Sequence, residues 1–239
     1  MKSGSDRTVK KAHRKHLNDR DLQILEFVNR YRVGTVELLA QDVFGTTDNL
    51  KNVRRVLRRL ERRGLLEKES WDNGHFYFVL TPQGCRVLEL SPRTSRPLTE
   101  QSLPAVLAVA FHCVRRGEER MTCQEFMKLY PELWKPGLRS SSYVLAETQD
   151  GLKLELLLVD RGGAARRIRS RVRRAIAQRN GLSEFASLME VGRFRINFLT
   201  GTNEQRCKIV RQIEKESFKP VEVCATVVPE LAEILLLRK

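Results

Sequence analysis

The chain has 239 residues, of which 41% are hydrophobic, and it carries a formal net charge of +15 at pH 7. This length and hydrophobic content suit one large folded domain or two small ones. Such a basic balance favours an anionic partner, either nucleic acid or an acidic membrane surface. No apolar run in the sequence approaches 18 residues, so we expect no segment that spans a membrane.

Charge and cysteine usage predict a cytoplasmic protein. Residues 1–16 are basic and have no apolar core behind them, which excludes an ordinary secretion signal and predicts a disordered basic arm. The five cysteines have no CxxC spacing, and their odd number fits free thiols better than a disulfide framework. His112, Cys113 and Cys123 make an incomplete ligand set, so we expect no metal there. No other cofactor is expected, and no small-molecule substrate is evident from the sequence.

Three helices are predicted at the start of a domain covering residues 17–90. Asn18 or Asp19 can cap the first, which runs to about Tyr31, and Thr35 can cap the second, VELLAQDVF, which Gly45 ends. The third lies within residues 46–63, where apolar side chains recur at three-and-four spacing and basic side chains occupy the other side. Helix, helix, short turn and basic helix is the order of a helix-turn-helix.

Residues 46–63 supply the candidate DNA contacts. Lys51 and Arg55, in the N-terminal half of the helix, are placed to reach guanine, and Asn52 can pair with adenine. Phosphates are expected to be held by Thr46, Thr47, Arg58, Arg59 and Arg62. Arg54, on the flank of the helix, is a further candidate DNA contact. The alternative is a surface helix whose charged face is merely solvated.

A β-hairpin follows the third helix. LLEKESW and HFYFVL are predicted to be strands, and in the second Phe76, Phe78 and Leu80 alternate on one face. Asn73 and Gly74 between them are the pair that a tight hairpin favours. A hairpin directly after a recognition helix predicts a winged helix-turn-helix. Its tip, residues 72–75, has no lysine or arginine, so its contact with DNA should be weak.

A second domain is predicted over residues 100–239, after a linker at residues 91–99 that contains two prolines. An apolar helix begins it, and the later order β-β-α-β-α-β-α predicts a small α/β domain with a mixed sheet. The chain as a whole is therefore expected to be α+β. In the helix predicted over residues 164–178, Ala165, Ile168, Val172 and Ile176 point inward.

That helix is unusually rich in arginine. The outward positions are Arg166, Arg167, Arg169, Arg171, Arg173 and Arg174. They form either a solvated face or a phosphate-binding surface; Arg166, Arg167, Arg169 and Arg173 are the candidate contacts.

The order of these parts resembles the plasmid replication-relaxation family. The resemblance rests on NDRDLQILEFV, VELLAQDVF, NVRRVLRRLERRGLL, FYFVLTPQG and LLLVDRGGAARRI, and covers most of residues 17–227. It implies a protein of plasmids, phages or other mobile elements that binds double-stranded DNA in replication, mobilisation or its control. It also implies a second domain similar to restriction-endonuclease-like nucleases.

The nuclease plan needs paired carboxylates to hold Mg²⁺. Here Asp160 ends a strand, but Leu158 and Gly162 stand where a second acid is expected. We therefore expect an inactive nuclease-like domain, in which Asp160 caps the next helix or pairs with an arginine. The alternatives are a metal-dependent nuclease using Asp160 with Glu147 or Asp150, and a protein-interaction module. Since many winged helices bind as dimers, a homodimer is also expected.

Overall fold

The structure is a computed structural model that describes residues 17–48, 50–72, 74–164 and 166–236, without the side chain of Asp72. The predicted arm at residues 1–16, the turn residue Asn73, the inward Ala165 and the last helix end at Leu237 lie outside these ranges. The chain is α+β and divides into two compact units, Met1–Val106 and Leu107–Lys239. No helix within the described ranges is long and apolar enough to cross a membrane.

The N-terminal unit begins with three helices, as predicted. They are α1 (Asp19–Tyr31), α2 (Val36–Asp42) and α3 (Leu50–Arg62). Asn18 caps α1 because its side chain accepts a hydrogen bond from the Asp21 amide at 2.8 Å, and Thr35 caps α2 in the same way. In the turn before α3, the Thr46 hydroxyl accepts a hydrogen bond from the Asp48 amide at 3.2 Å.

Two antiparallel strands and a short helix follow. They are β1 (Leu66–Asp72), β2 (His75–Leu80) and α4 (Pro82–Val87). Gly34 adds a bridge to β2 through two backbone hydrogen bonds with Phe78, at 2.9 and 2.8 Å. Helix α4 packs closely on the start of β1, since a Cβ at Gly84 would lie 2.2 Å from the Leu65 carbonyl oxygen.

Part of the predicted linker, residues 91–99, is folded. Pro92–Ser95 form a 3₁₀ turn that lies against α4 and β2. The Arg32 guanidinium donates a hydrogen bond to the Arg96 carbonyl at 3.0 Å. The division between the two units falls later, inside the helix Leu103–Arg116.

The C-terminal unit is built on a mixed four-stranded sheet. In chain order its elements are α5 (Leu103–Arg116), which begins in the N-terminal unit, α6 (Cys123–Leu129), β3 (Ser142–Thr148), β4 (Gly151–Val159), α7 (Arg166–Asn180), α8 (Ser183–Glu190), β5 (Phe194–Thr200), α9 (Asn203–Glu214), β6 (Glu222–Val227) and α10 (Pro229–Leu236). The strand order is β3-β4-β5-β6; β3 runs antiparallel to β4, and the other pairs are parallel. Helix α8 was not predicted.

The sheet has one apolar face and one polar face. Alternate residues of a strand point to opposite faces. Leu154 and Phe198 belong to the apolar face, which packs in one core with Val172 of α7, Phe185 of α8 and Ile209 of α9. The other face is called the polar face because it carries a polar cluster beside buried apolar residues such as Leu157 and Leu199. Its polar residues are Lys153 and Glu155 of β4, Arg195 and Asn197 of β5, and Glu222, Cys224 and Thr226 of β6.

Candidate nucleic-acid interface

Helix α3 has one buried side and one basic side. Val53, Val56, Leu57 and Leu60 are buried. At about 100° per residue, the exposed cations fall within an arc of roughly 100° on the opposite side. They are Lys51, Arg54, Arg55, Arg58 and Arg62. The helix is therefore held by its apolar stripe while its cations face solvent.

Most of these cations are not neutralised by the protein itself. Among the residues that the structure describes, no carboxylate pairs with Lys51, Arg54 or Arg58. Arg55 donates a hydrogen bond to the Asn52 side-chain oxygen at 2.9 Å, so two of the three candidate base-reading residues are in contact. Arg62 makes a long bond of 3.4 Å to the Arg58 carbonyl. This side can therefore attract an external polyanion.

Arg59 has a structural partner that the sequence did not reveal. Its guanidinium pairs with the carboxylate of Asp21, whose side chain is 2% exposed, whereas the Arg59 side chain is 42% exposed. Asp21 also accepts a bond from the Asn18 amide. Arg59 therefore ties α3 to the first turn of α1, and a phosphate would have to compete with this ion pair.

The residues before α3 are less suited to phosphate than predicted. The Thr47 hydroxyl donates to the Asp48 carboxylate at 3.1 Å, and the Asp48 amide bonds to Thr46. Both threonines thus engage Asp48, whose negative charge at the helix start disfavours an anion there.

The β1–β2 hairpin carries aromatic side chains on either side of its tip. The Trp71 ring stacks with those of His75 and Tyr77, with centroids 5.5 and 6.0 Å apart. On the other face Lys68 lies 3.6 Å from the centre of the Phe76 ring. Apart from Lys68, the hairpin adds little positive charge to that of α3.

The candidate contacts of α7 differ among themselves. Arg166 and Arg167 are exposed at the start of the helix, and Arg169 is half-buried. Arg173 is exposed but forms a bidentate ion pair with Glu216, at 2.7 and 2.8 Å. Only the first turn of α7 therefore presents candidate arginines to solvent without an ion pair among the described residues.

The prediction that Arg171 points outward is wrong. Its guanidinium donates to the Val159 carbonyl at 3.0 Å and lies over the Phe198 ring, 5.3 Å from its centre. Burial lowers the pKa of Arg171, which Asp160 partly opposes. The Val159 carbonyl at the end of β4 and the Phe198 ring of β5 thus draw the side chain inward.

Asp160 lies far from Glu147 and Asp150, the carboxylates with which it would have to form a nuclease site. Asp160 follows the end of β4, while Glu147 and Asp150 lie near its start, next to the turn between β3 and β4. Eight residue steps along β4 separate these ends by about 26 Å. Asp150 instead pairs with Lys153 at 2.9 Å. Burial raises the pKa of Asp160, although Arg171 opposes the shift.

A polar cluster on the polar face was missed by the sequence analysis. Glu155 is fully buried and pairs with Arg195. It also accepts a hydrogen bond from the side-chain Nδ2 of Asn197 at 3.1 Å. The His112 Nε2 atom of α5 lies 3.7 Å from the Glu155 Oε1 atom. Burial would raise the pKa of Glu155, but His112, Arg195 and Asn197 together lower it. Glu155 is therefore an ionised carboxylate within the fold.

The neighbouring thiol of Cys224 is expected to be protonated at neutral pH. Burial and the negative charge of Glu155 raise the pKa of Cys224 to about 12. The sequence feature that could have predicted this cluster is Glu155, an acidic residue inside the apolar strand LKLELLLV. A glutamate buried in such a strand requires hydrogen-bond or ion-pair partners.

Known proteins supply no assignment for either unit. Comparison with protein-family models, curated proteins and solved structures finds no match to this chain.

Proposed function

We propose that this protein binds double-stranded DNA with a sequence preference and works in the cytoplasm in replication or transcription control of a mobile element. The N-terminal unit is then a winged helix-turn-helix, with α3 as the recognition helix and the β1–β2 hairpin as the wing. The observation that carries the proposal is the exposed row of cations on α3, opposite its buried stripe.

The arrangement suits the major groove of DNA. An α-helix fits that groove, and bidentate donors such as arginine recognise guanine there. Lys51 and Arg55 take this role in the N-terminal half of α3, with Asn52 beside them. Arg54, Arg58 and Arg62 hold phosphates, which fix the register of the helix but carry no base preference.

The C-terminal unit is proposed to be an inactive scaffold similar to restriction-endonuclease-like nucleases. It contributes backbone contacts through Arg166 and Arg167, or self-association into a homodimer. The link to mobile elements rests on the resemblance to the replication-relaxation family. A nuclease that uses Asp160 with Glu147 or Asp150 is not favoured, because β4 separates these carboxylates.

The proposal is tested by selecting bound duplexes from a random-sequence pool, using the full chain with and without Mg²⁺. We expect one enriched motif and no cleavage in either arm. The Arg55→Ala variant should relax the motif at one position, with a loss of about 1–3 kcal/mol for the preferred base. The Arg58→Ala variant should weaken binding to all sequences alike.

These two variants are matched, because each removes one exposed arginine from α3. Equal losses across unrelated sequences in both would contradict the division into base and phosphate contacts. Failure to retain any duplex at physiological salt would contradict DNA binding altogether and favour a protein-interaction module. Cleavage that requires Mg²⁺ would instead support the nuclease.

A further inference from the structure

Three metal-ligating side chains converge beside the polar face of the sheet. They are His112 of α5, Glu118 in the segment after α5, and Glu155 of β4. One ligand atom from each, a ring nitrogen or a carboxylate oxygen, lies within 4.8 Å of the other two. All three belong to the C-terminal unit.

His112 gives the strongest indication of a ligand. Its side chain is 2% exposed, and its Nε2 atom is buried without a hydrogen-bond partner. The 3.7 Å separation from the Glu155 Oε1 atom is too long for a hydrogen bond. Two ligands of one tetrahedral Zn²⁺, each about 2.1 Å from the ion, lie roughly 3.4 Å apart. The pair therefore needs little movement to share an ion.

Local structure fixes where Glu118 lies. Gly117 has a φ of 65°, and its amide bonds to the Val114 carbonyl while the Glu118 amide bonds to the Cys113 carbonyl, at 3.2 and 3.0 Å. These two bonds form a Schellman motif, which ends α5 and sets the direction of the next residue. Glu118 is thereby held close to His112 rather than on a free loop.

Two arginines orient the carboxylates from outside. Arg195 pairs with the Oε2 atom of Glu155, and Arg116 donates to the Oε1 atom of Glu118 at 2.8 Å. Partners of this kind fix the orientation of metal ligands. Because their charges also neutralise the carboxylates, the affinity for a cation should be lower than that of an uncompensated site.

We propose that His112, Glu118 and Glu155 bind one divalent first-row transition-metal ion. An imidazole nitrogen with two carboxylate oxygens suits Zn²⁺ or Mn²⁺, whereas Mg²⁺ prefers oxygen ligands and retains several waters. The ion joins α5 and the residue after its end to β4, so its role is to hold the helix on the sheet. This inference does not depend on the proposed DNA binding.

The test uses the metal-stripped full chain, equilibrium dialysis against Zn²⁺ and elemental analysis of the retained ion. We expect one Zn²⁺ per chain that both His112→Asn and Glu118→Gln remove, together with a Zn²⁺-dependent rise in the unfolding temperature. His75→Ala is the matched control, because His75 is exposed on the hairpin, and it should keep the ion. Mg²⁺ should not replace Zn²⁺.

The Glu118→Gln variant keeps the test valid if His112→Asn does not fold, since Glu118 is not fully buried. Substitution with Co²⁺ should give a spectrum without thiolate charge-transfer absorption, because no cysteine belongs to the set. The proposal is overturned if the wild type retains no Zn²⁺, if Glu118→Gln retains as much as the wild type, or if Co²⁺ shows thiolate absorption.

Discussion

Helices α3 and α7 are both rich in arginine, yet they use it in opposite ways. In α3 the buried positions are apolar and the arginines lie opposite them. In α7, Arg179 is buried, Arg171 turns toward β4, and Arg173 pairs with Glu216. The number of arginines therefore overstates the cationic surface of α7. For α3 the number is a better guide, and the main exception is Arg59, which pairs with Asp21.

The largest expected effect concerns Arg179, which is 1% exposed. Its guanidinium donates to the Tyr143 hydroxyl, the Ala175 carbonyl and the Ser141 hydroxyl, at distances from 2.6 to 3.0 Å. The Arg179→Ala variant leaves a cavity and unpaired acceptors, so the free energy of unfolding should fall by about 2–5 kcal/mol. Urea denaturation followed by circular dichroism measures the loss.

The exposed Arg174 of the same helix provides the control. The Arg174→Ala variant should change the free energy of unfolding by no more than about 0.5 kcal/mol. Similar losses in the two variants would mean that α7 uses its arginines alike, contrary to the comparison with α3.

The second effect concerns the salt dependence of DNA binding. Two triple alanine variants each remove three positive charges, one at Arg54, Arg58 and Arg62 and the other at Arg166, Arg167 and Arg174. Each lost phosphate contact changes the slope of log K against log salt by about 0.9. We therefore expect a change of about 2.7 for the α3 variant and of at most about 1.8 for the α7 variant, in which only Arg166 and Arg167 are candidate backbone contacts. Fluorescence anisotropy at several salt concentrations measures both slopes.

The two triple variants have the same net charge, so a non-specific charge effect would change both slopes equally. Equal changes would therefore contradict a main interface on α3. A larger change from the α7 variant would reverse the comparison and move the main interface to the C-terminal unit.

The smallest effect concerns Asp160 and pH. Burial raises the pKa of Asp160 in the folded state. The contribution of Asp160 to the free energy of unfolding is therefore complete below the ordinary pKa of about 3.9 and is lost as pH rises through the raised pKa. The Asp160→Asn variant lacks this titration. As pH rises across this interval, the free energy of unfolding of Asp160→Asn should therefore increase relative to that of the wild type. Urea denaturation at successive pH values measures the difference.

The opposite trend would mean that the Asp160 carboxylate is stabilised by Arg171 more than burial destabilises it. In that case, the wild type should gain on Asp160→Asn toward neutral pH.

Local signals allowed much of the N-terminal unit to be predicted. Asn18 and Thr35 cap helices as expected, and the strands around Gly74 pair as a hairpin. A cap or a turn depends on residues within a few positions of one another. Sequence patterns therefore carry this information directly.

Several errors arise from contacts between residues that are distant in sequence. Arg59 and Asp21 are 38 positions apart, and Arg179 and Tyr143 are 36 apart, so periodicity alone could not pair them. His112 was considered with Cys113 and Cys123, its neighbours in sequence, whereas the fold places it beside Glu118 and Glu155. Helix α8 was missed because it is short, with only Phe185 and Met189 buried.

The contact between Gly84 and Leu65 has a consequence for comparing related proteins. Helix α4 approaches the residue before β1 so closely that any Cβ at Gly84 would collide with the Leu65 carbonyl oxygen. A homologue could replace most surrounding side chains and still keep this spacing while the position remains glycine. Gly84 is thus a fixed reference point from which an alignment of divergent sequences can be extended in both directions.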